Sequence, residues 1–152
     1  MYNGSKILHL WRAWRQLDRR ERRTYFAAAL ATPVLAGCAR LLPLKTVVGL
    51  VSLQKGLERD DASAAPAMRR CVRALNRVAR YGPYPGKCLS RSLALIWLLR
   101  RHRIGAHLHL GVRLIDGRLD AHAWVECDGV ALNERPEVAE QFTGFGPLAT
   151  GT

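Results

Sequence analysis

Apolar positions recur at helical spacing through the first part of the chain and at alternate positions further on. From Lys6 to Leu17, the residues Ile7, Leu8, Leu10, Trp11, Trp14 and Leu17 form one stripe, with Arg12, Arg15 and Gln16 between them, which predicts a short amphipathic helix. Asp18 can cap a second helix, with Glu21 three positions on completing a capping box. That helix runs through "TYFAAALATPVLAGCARLL", with a kink expected at Pro33. "LKTVVGLVSLQKGL" predicts a further helical segment, and polar "ERDDASAAP" marks the clearest boundary. Beyond it Met68, Val72, Leu75 and Val78 share a stripe over Ala67 to Tyr81, and another apolar helix opens at Cys88.

The period then changes. Leu108, Leu110, Val112 and Leu114 alternate with His107, His109, Gly111 and Arg113, which predicts a strand with one buried face. Asp116-Gly117 turns the chain, and a second strand places Ala121, Ala123, Val125 and Cys127 on one face and His122, Trp124 and Glu126 on the other. Asp128-Gly129 is a strong hairpin signal, so Val130 to Glu134 is expected as a third strand, ended by Arg135-Pro136. The tail from Thr143 reads as irregular, and no internal repeat appears. The pattern predicts an α+β fold, with an N-terminal helical region over 1–60 ahead of a domain over 61–152.

Charge adds a question that the pattern does not answer. The 152 residues carry 24 Lys plus Arg against 12 Asp plus Glu, with the excess in runs such as Arg19 to Arg23, Arg69 to Arg80 and Arg100 to Arg103. Solvated faces account for such runs, and attraction to an acidic peptide or an anionic lipid is the alternative. Tyr25 to Leu53 is interrupted by Pro33, Arg40, Pro43 and Lys45, short of the roughly 20 apolar residues a bilayer span needs. Peripheral membrane contact stays open. With no secretory signal visible and no CxxC pair among Cys38, Cys71, Cys88 and Cys127, neither a zinc site nor a disulfide framework is implied, and a cytoplasmic location is expected. Cys38, Cys71 and Cys127 are expected to be core residues. Trp11, Trp14 and Trp97 fall on apolar helical stripes and are expected in the core or on a docking surface.

Cys88 stands apart from the other three. "GPYPGKC" delivers it to the first turn of a helix, where unpaired backbone N–H groups and the macrodipole favour a thiolate. Lys87 and Arg91 would add positive potential. A nucleophilic thiol needs a base and a group that fixes the base's tautomer. His122, 34 residues on, supplies the first, and Asn133 and Glu134 are both candidates for the second. Strict two-residue hairpin counting pairs Trp124 with Asn133 and Ala123 with Glu134, which favours Asn133, while one bulge would reverse the faces. Trp124 beside His122 is expected either to wall a substrate cleft or to pack beneath the N-terminal helices. His107 and His109 are expected to line the groove or pack, not to bind metal with His122.

Cys88 after a PxxC-type helix start, then "HLHLGVRL", "AHAWVECDG" and "LNE", resemble the transglutaminase-like cysteine peptidases, and among them the leader peptidases of lasso peptide biosynthesis. The resemblance covers roughly Tyr81 to Val138. It implies a papain-like core with the cysteine helix against a small antiparallel sheet, Cys88 as nucleophile, His122 as base, and the third position on Glu134 where the family has aspartate. It also implies a precursor peptide as substrate, a separate leader-recognition protein and a lactam synthetase as partners, and no metal or cofactor. Parts of the family require ATP, but the chain has no GxxxxGK[ST] loop, so any nucleotide effect is expected to act through a partner. Acyl-transfer or amidase chemistry on another substrate would use the same triad. A non-catalytic basic module binding nucleic acid or membrane is the rival of another class, although no nucleic-acid motif is present.

Overall fold

The computed structural model describes residues 17–52, 63–82, 84–135 and 137–148. Within them α1 spans Arg19–Leu41, α2 Leu44–Ser52, α3 Ala64–Tyr81 and α4 Cys88–Arg101. The strands β1 (His107–Ile115), β2 (Arg118–Cys127) and β3 (Val130–Ala131) follow, then a single-turn α5 (Val138–Gln141) and β4 (Thr143–Leu148). The sheet is antiparallel in the order β3-β2-β1-β4, and the fold is mixed α+β.

The capping box forms as its residues dictate. Asp18 Oδ1 accepts from the Glu21 N–H at 2.6 Å, and Glu21 Oε2 accepts from the Asp18 N–H at 3.3 Å. From there α1 runs unbroken through Pro33, and the buried Thr32 hydroxyl donates to the Ala28 carbonyl at 2.8 Å. By length and mean hydropathy α1 alone among the described residues could cross a bilayer, a test that core helices also pass. Its Ala28, Ala31 and Thr32 are buried, whereas Phe26, Leu30 and Val34 form an exposed stripe at i, i+4 and i+8.

At the centre lies α4. Leu93, Ala94, Leu95, Ile96, Leu98 and Leu99 are all buried, so this helix is apolar nearly all round, as a helix enclosed on every side must be. Helices α1, α2 and α3 pack against it, as do β2 and, less extensively, β1. The main core cluster runs from Ala28 and Ala31 of α1 through Val47, Val48 and Val51 of α2, Cys71 and Leu75 of α3 and the α4 residues to Ala123 and Val125 of β2. The predicted helix over Lys6 to Leu17, with Trp11 and Trp14, lies outside the described residues except for Leu17, which is buried.

Both Asp-Gly turns close hairpins as expected. Asp116, Gly117, Asp128 and Gly129 all have positive φ, between 49° and 76°, the conformation of a type I′ turn. Two sequence expectations are corrected by the sheet. The tail from Thr143 is not irregular: as β4 it pairs with β1, Thr143 opposite Val112 and Leu148 opposite Leu108. "TGFGPL" has no apolar alternation to announce a strand, and Pro147 is tolerated because β4 is an edge. The third strand does not reach Glu134 but ends at Ala131, because a side chain takes over the next rung of the ladder, as described below.

Candidate active site

The segment before α4 is held close to α1 by a glycine. Gly86 has φ +72°, and a Cβ there would stand 2.6 Å from Thr32 Cγ2, so no other residue fits this approach without displacement. Ser90 Oγ accepts from the Lys87 N–H at 3.0 Å, tying down the N-terminal turn. Cys88, half-buried, is the first residue of the helix. The first backbone bond of the α4 ladder runs from the Arg91 N–H to the Lys87 carbonyl, so the Cys88 N–H has no partner within the helix. One turn on, the Arg91 Nε is buried without a hydrogen-bond partner among the described residues.

Ser92 lies four positions after Cys88 and therefore on the same helical face. Its buried hydroxyl donates to the Ala123 carbonyl at 3.0 Å and accepts from Asn133 Nδ2 at 3.1 Å, while Asn133 Oδ1 accepts from the Val125 N–H at 2.8 Å. This network joins α4 to β2 immediately beside His122, about 6 Å along the helix axis from Cys88. Ser92 was not a sequence candidate. Its signal was a hydroxyl on an otherwise apolar helix surface, one turn from the thiol.

The same network settles which faces residues 133 and 134 occupy. Leu132 N–H donates to the Val125 carbonyl at 2.9 Å, but the return bond from the Val125 N–H goes to the Asn133 side chain instead of a backbone carbonyl. Regular pairing stops there, and the faces are exchanged relative to strict hairpin counting. Asn133 turns into the core against Ser92, and Glu134 comes to the His122 side, Oε1 lying 3.2 Å from His122 Nε2. With Nε2 engaged, Nδ1 is the ring nitrogen left for a proton-transfer partner. The Cys88 thiol and His122 share no hydrogen bond in this structure.

Around His122 the sheet surface is aromatic. Gly111 of β1 pairs with it, and the missing side chain leaves space for Phe142, whose Cβ would stand 2.7 Å from a Cβ at 111. The Phe142 ring stacks on His122 at 5.2 Å between centroids, and the Arg113 guanidinium covers it at 4.4 Å. Arg113 is itself held by Asp120, Nε to Oδ2 2.8 Å. Trp124 lies between His122 and His109, at 6.4 and 5.6 Å, and its Nε1–H donates to Glu126 Oε1 at 2.6 Å, while Glu126 Oε2 reaches His109 Nε2 at 3.4 Å. Trp124 is buried, and among the described residues it clusters with Val138 and Phe142 and not with α1 to α3. His109, half-buried, is the more open of the two cleft candidates, and His107 is exposed.

All four cysteines are free thiols. Cys71 is fully buried, and burial pushes its thiol up to about 11 despite the opposing charge of Arg70. Cys38 and Cys127 are only half-buried. Among the described residues no group of three or more His, Cys, Asp or Glu could hold a metal ion.

A family model for the transglutaminase-like superfamily matches residues 28–145, a span that takes in most of α1, the Cys88 helix, His122 and Glu134. No curated protein and no solved structure matches the chain.

Proposed function

The chain belongs to the transglutaminase-like superfamily, whose members carry cysteine peptidase or acyltransferase chemistry, and from that premise we propose that it removes the leader peptide from a lasso precursor peptide. The observation that carries the catalytic part is the 3.2 Å pairing of His122 Nε2 with Glu134 on a strand tied through Ser92 to the helix that Cys88 opens. The choice of a leader peptide as substrate rests on the resemblance of "PGKC", "AHAWVECDG" and "LNE" to the leader peptidases. A separate recognition protein would deliver the leader, and a lactam synthetase would use the amine that cleavage frees. The exposed stripe of Phe26, Leu30 and Val34 suits peripheral membrane contact.

The chemistry is acyl transfer to sulfur and then to water. With substrate bound, Cys88 and His122 close to hydrogen-bond distance, Nδ1 takes the thiol proton, and Sγ attacks the carbonyl carbon of the last leader residue. The oxyanion that forms accepts from the Cys88 N–H. As the C–N bond breaks, the His122 imidazolium returns its proton to the leaving amine. A water, deprotonated by His122, then attacks the thioester, releasing the leader carboxylate and the Cys88 thiol. Glu134 keeps the imidazole in one orientation and stabilises its charged form throughout.

Mass spectrometry of a precursor peptide incubated with its recognition partner and either this protein or Cys88→Ala tests the reading. Cleavage at one bond by the wild type alone is expected. Equal cleavage by the variant would discard Cys88 as nucleophile. If the precursor stays intact while small thioesters or amides are turned over in a Cys88-dependent way, acyl transfer or amidase chemistry on another substrate takes its place.

A further inference from the structure

Far from the cysteine, α1, the start of α3 and the end of α4 line an open cavity of about 800 Å³, within the size range of small-molecule sites. Arg20 and Arg23 line it from α1, Arg70 from α3 and Arg101 from α4, while Ala27, Ala67 and Leu98 give it an apolar side. Their spacing explains the convergence. Residues 20, 23 and 27 share one face of α1, and residues 67 and 70 share one face of α3. Arg101 is thirteen positions from Cys88 along α4, roughly 20 Å of helix axis.

Among the described residues none of these four arginines has a carboxylate partner. The acid nearest in the sequence of α1, Glu21, is committed to Arg73 at 3.5 Å and to the helix cap. Arg101 lies over the Trp97 ring at 4.9 Å, which orients it without neutralising it. Four like charges around one concavity repel one another and raise its potential, so the arrangement favours a ligand that brings several negative charges into a small volume. Guanidinium forks match phosphate oxygens two at a time, whereas peptide carboxylates arrive singly and are spread along a chain.

We propose that this cavity binds a compact ligand bearing two or more linked phosphate groups, gripped by Arg20, Arg23, Arg70 and Arg101 at the end of α4 opposite the thiol. Recognition comes from guanidinium side chains and needs no glycine-rich phosphate loop. The apolar side has room for the body to which the phosphates are attached.

Calorimetric titration of the full chain with inorganic tripolyphosphate, with adenosine triphosphate and with a short poly-glutamate peptide tests this. One molecule of tripolyphosphate per chain is expected, with affinity at least about tenfold weaker in Arg23→Gln/Arg70→Gln and within about twofold of wild type in the equally charged control Arg118→Gln/Arg135→Gln. Arg23→Lys/Arg70→Lys, which keeps the charge but loses the fork, should fall between them. Tripolyphosphate should raise the wild-type melting temperature and leave that of Arg23→Gln/Arg70→Gln unmoved, a readout that also confirms the variant is folded. Tighter binding of adenosine triphosphate than of tripolyphosphate would assign the apolar side to the nucleoside, and equal binding would assign the site to the phosphate chain alone. The proposal is overturned if both double variants lose affinity equally, if poly-glutamate binds more tightly than tripolyphosphate, or if binding emerges only after Glu58, Asp60 and Asp61 of the same chain are neutralised.

Discussion

Asn133 and Glu134 are consecutive, polar and similar in size, yet they project to opposite faces of β2. Asn133 closes a buried network in which its Oδ1 serves the Val125 N–H and its Nδ2 serves Ser92. Removing the amide leaves a buried donor and a buried hydroxyl short of partners, a loss of about 1–3 kcal/mol. Asn133→Ala should therefore lower the unfolding free energy from urea titration by that amount, and any loss of activity should follow the loss of folded protein. Glu134 is more exposed and, among the described residues, engages His122 alone, so Glu134→Gln should leave the unfolding free energy from urea titration within about 0.5 kcal/mol of wild type. Cleavage by Glu134→Gln should instead drop by roughly 10²–10⁴-fold in kcat, because the amide cannot stabilise the imidazolium. If the two variants traded these behaviours, Asn133 would be the residue that orients His122.

At the scale of elements, the His122 face depends on one strand position having no side chain. A methyl group at 111 would meet Phe142 Cβ at 2.7 Å and the Trp124 ring at 3.1 Å, and neither the backbone nor two buried rings can yield cheaply. Gly111→Ala should cost about 1–3 kcal/mol by overpacking and should also slow catalysis, because Phe142 is stacked on His122. Combining it with Phe142→Ala provides the check: the double variant should lose less stability than the two single losses added together, and strict additivity would mean that the two residues do not press on each other.

The strands that bear this face were legible because β1 and β2 alternate cleanly and both Asp-Gly turns announce their hairpins. Helix α4 was legible from its apolar run and the prolines and glycines before it. What escaped was set by tertiary partners. β4 exists because β1 offers an edge to pair with, although its own sequence carries no period. The exchange of faces at 133 and 134 depends on a side chain substituting for a backbone acceptor, which no count of hairpin residues contains.

On the scale of the whole molecule, the main core makes one buried thiol a reporter of global stability. Cys71 lies on α3 among residues packed on α4, and opening its surroundings means opening the core that all of α1 to β2 share. In the unfolded chain this thiol loses its proton near 9.0, while in the folded chain burial holds the proton on until about 11. Between those values the unfolded state binds fewer protons than the folded state, so stability falls as pH rises. The contribution is complete below pH 9.0 and is lost progressively as pH climbs through 11, about 3 kcal/mol in all. Lysines and tyrosines titrate in the same range, so the measurement is a difference: urea unfolding of wild type and Cys71→Ala at pH 8, 9, 10 and 11. At pH 8 the variant should be the less stable, since it leaves a small cavity. That gap should narrow, and then reverse or close, as pH approaches 11. A gap that stays constant across the series would mean that Cys71 ionises as easily folded as unfolded, and that the core admits water at α3.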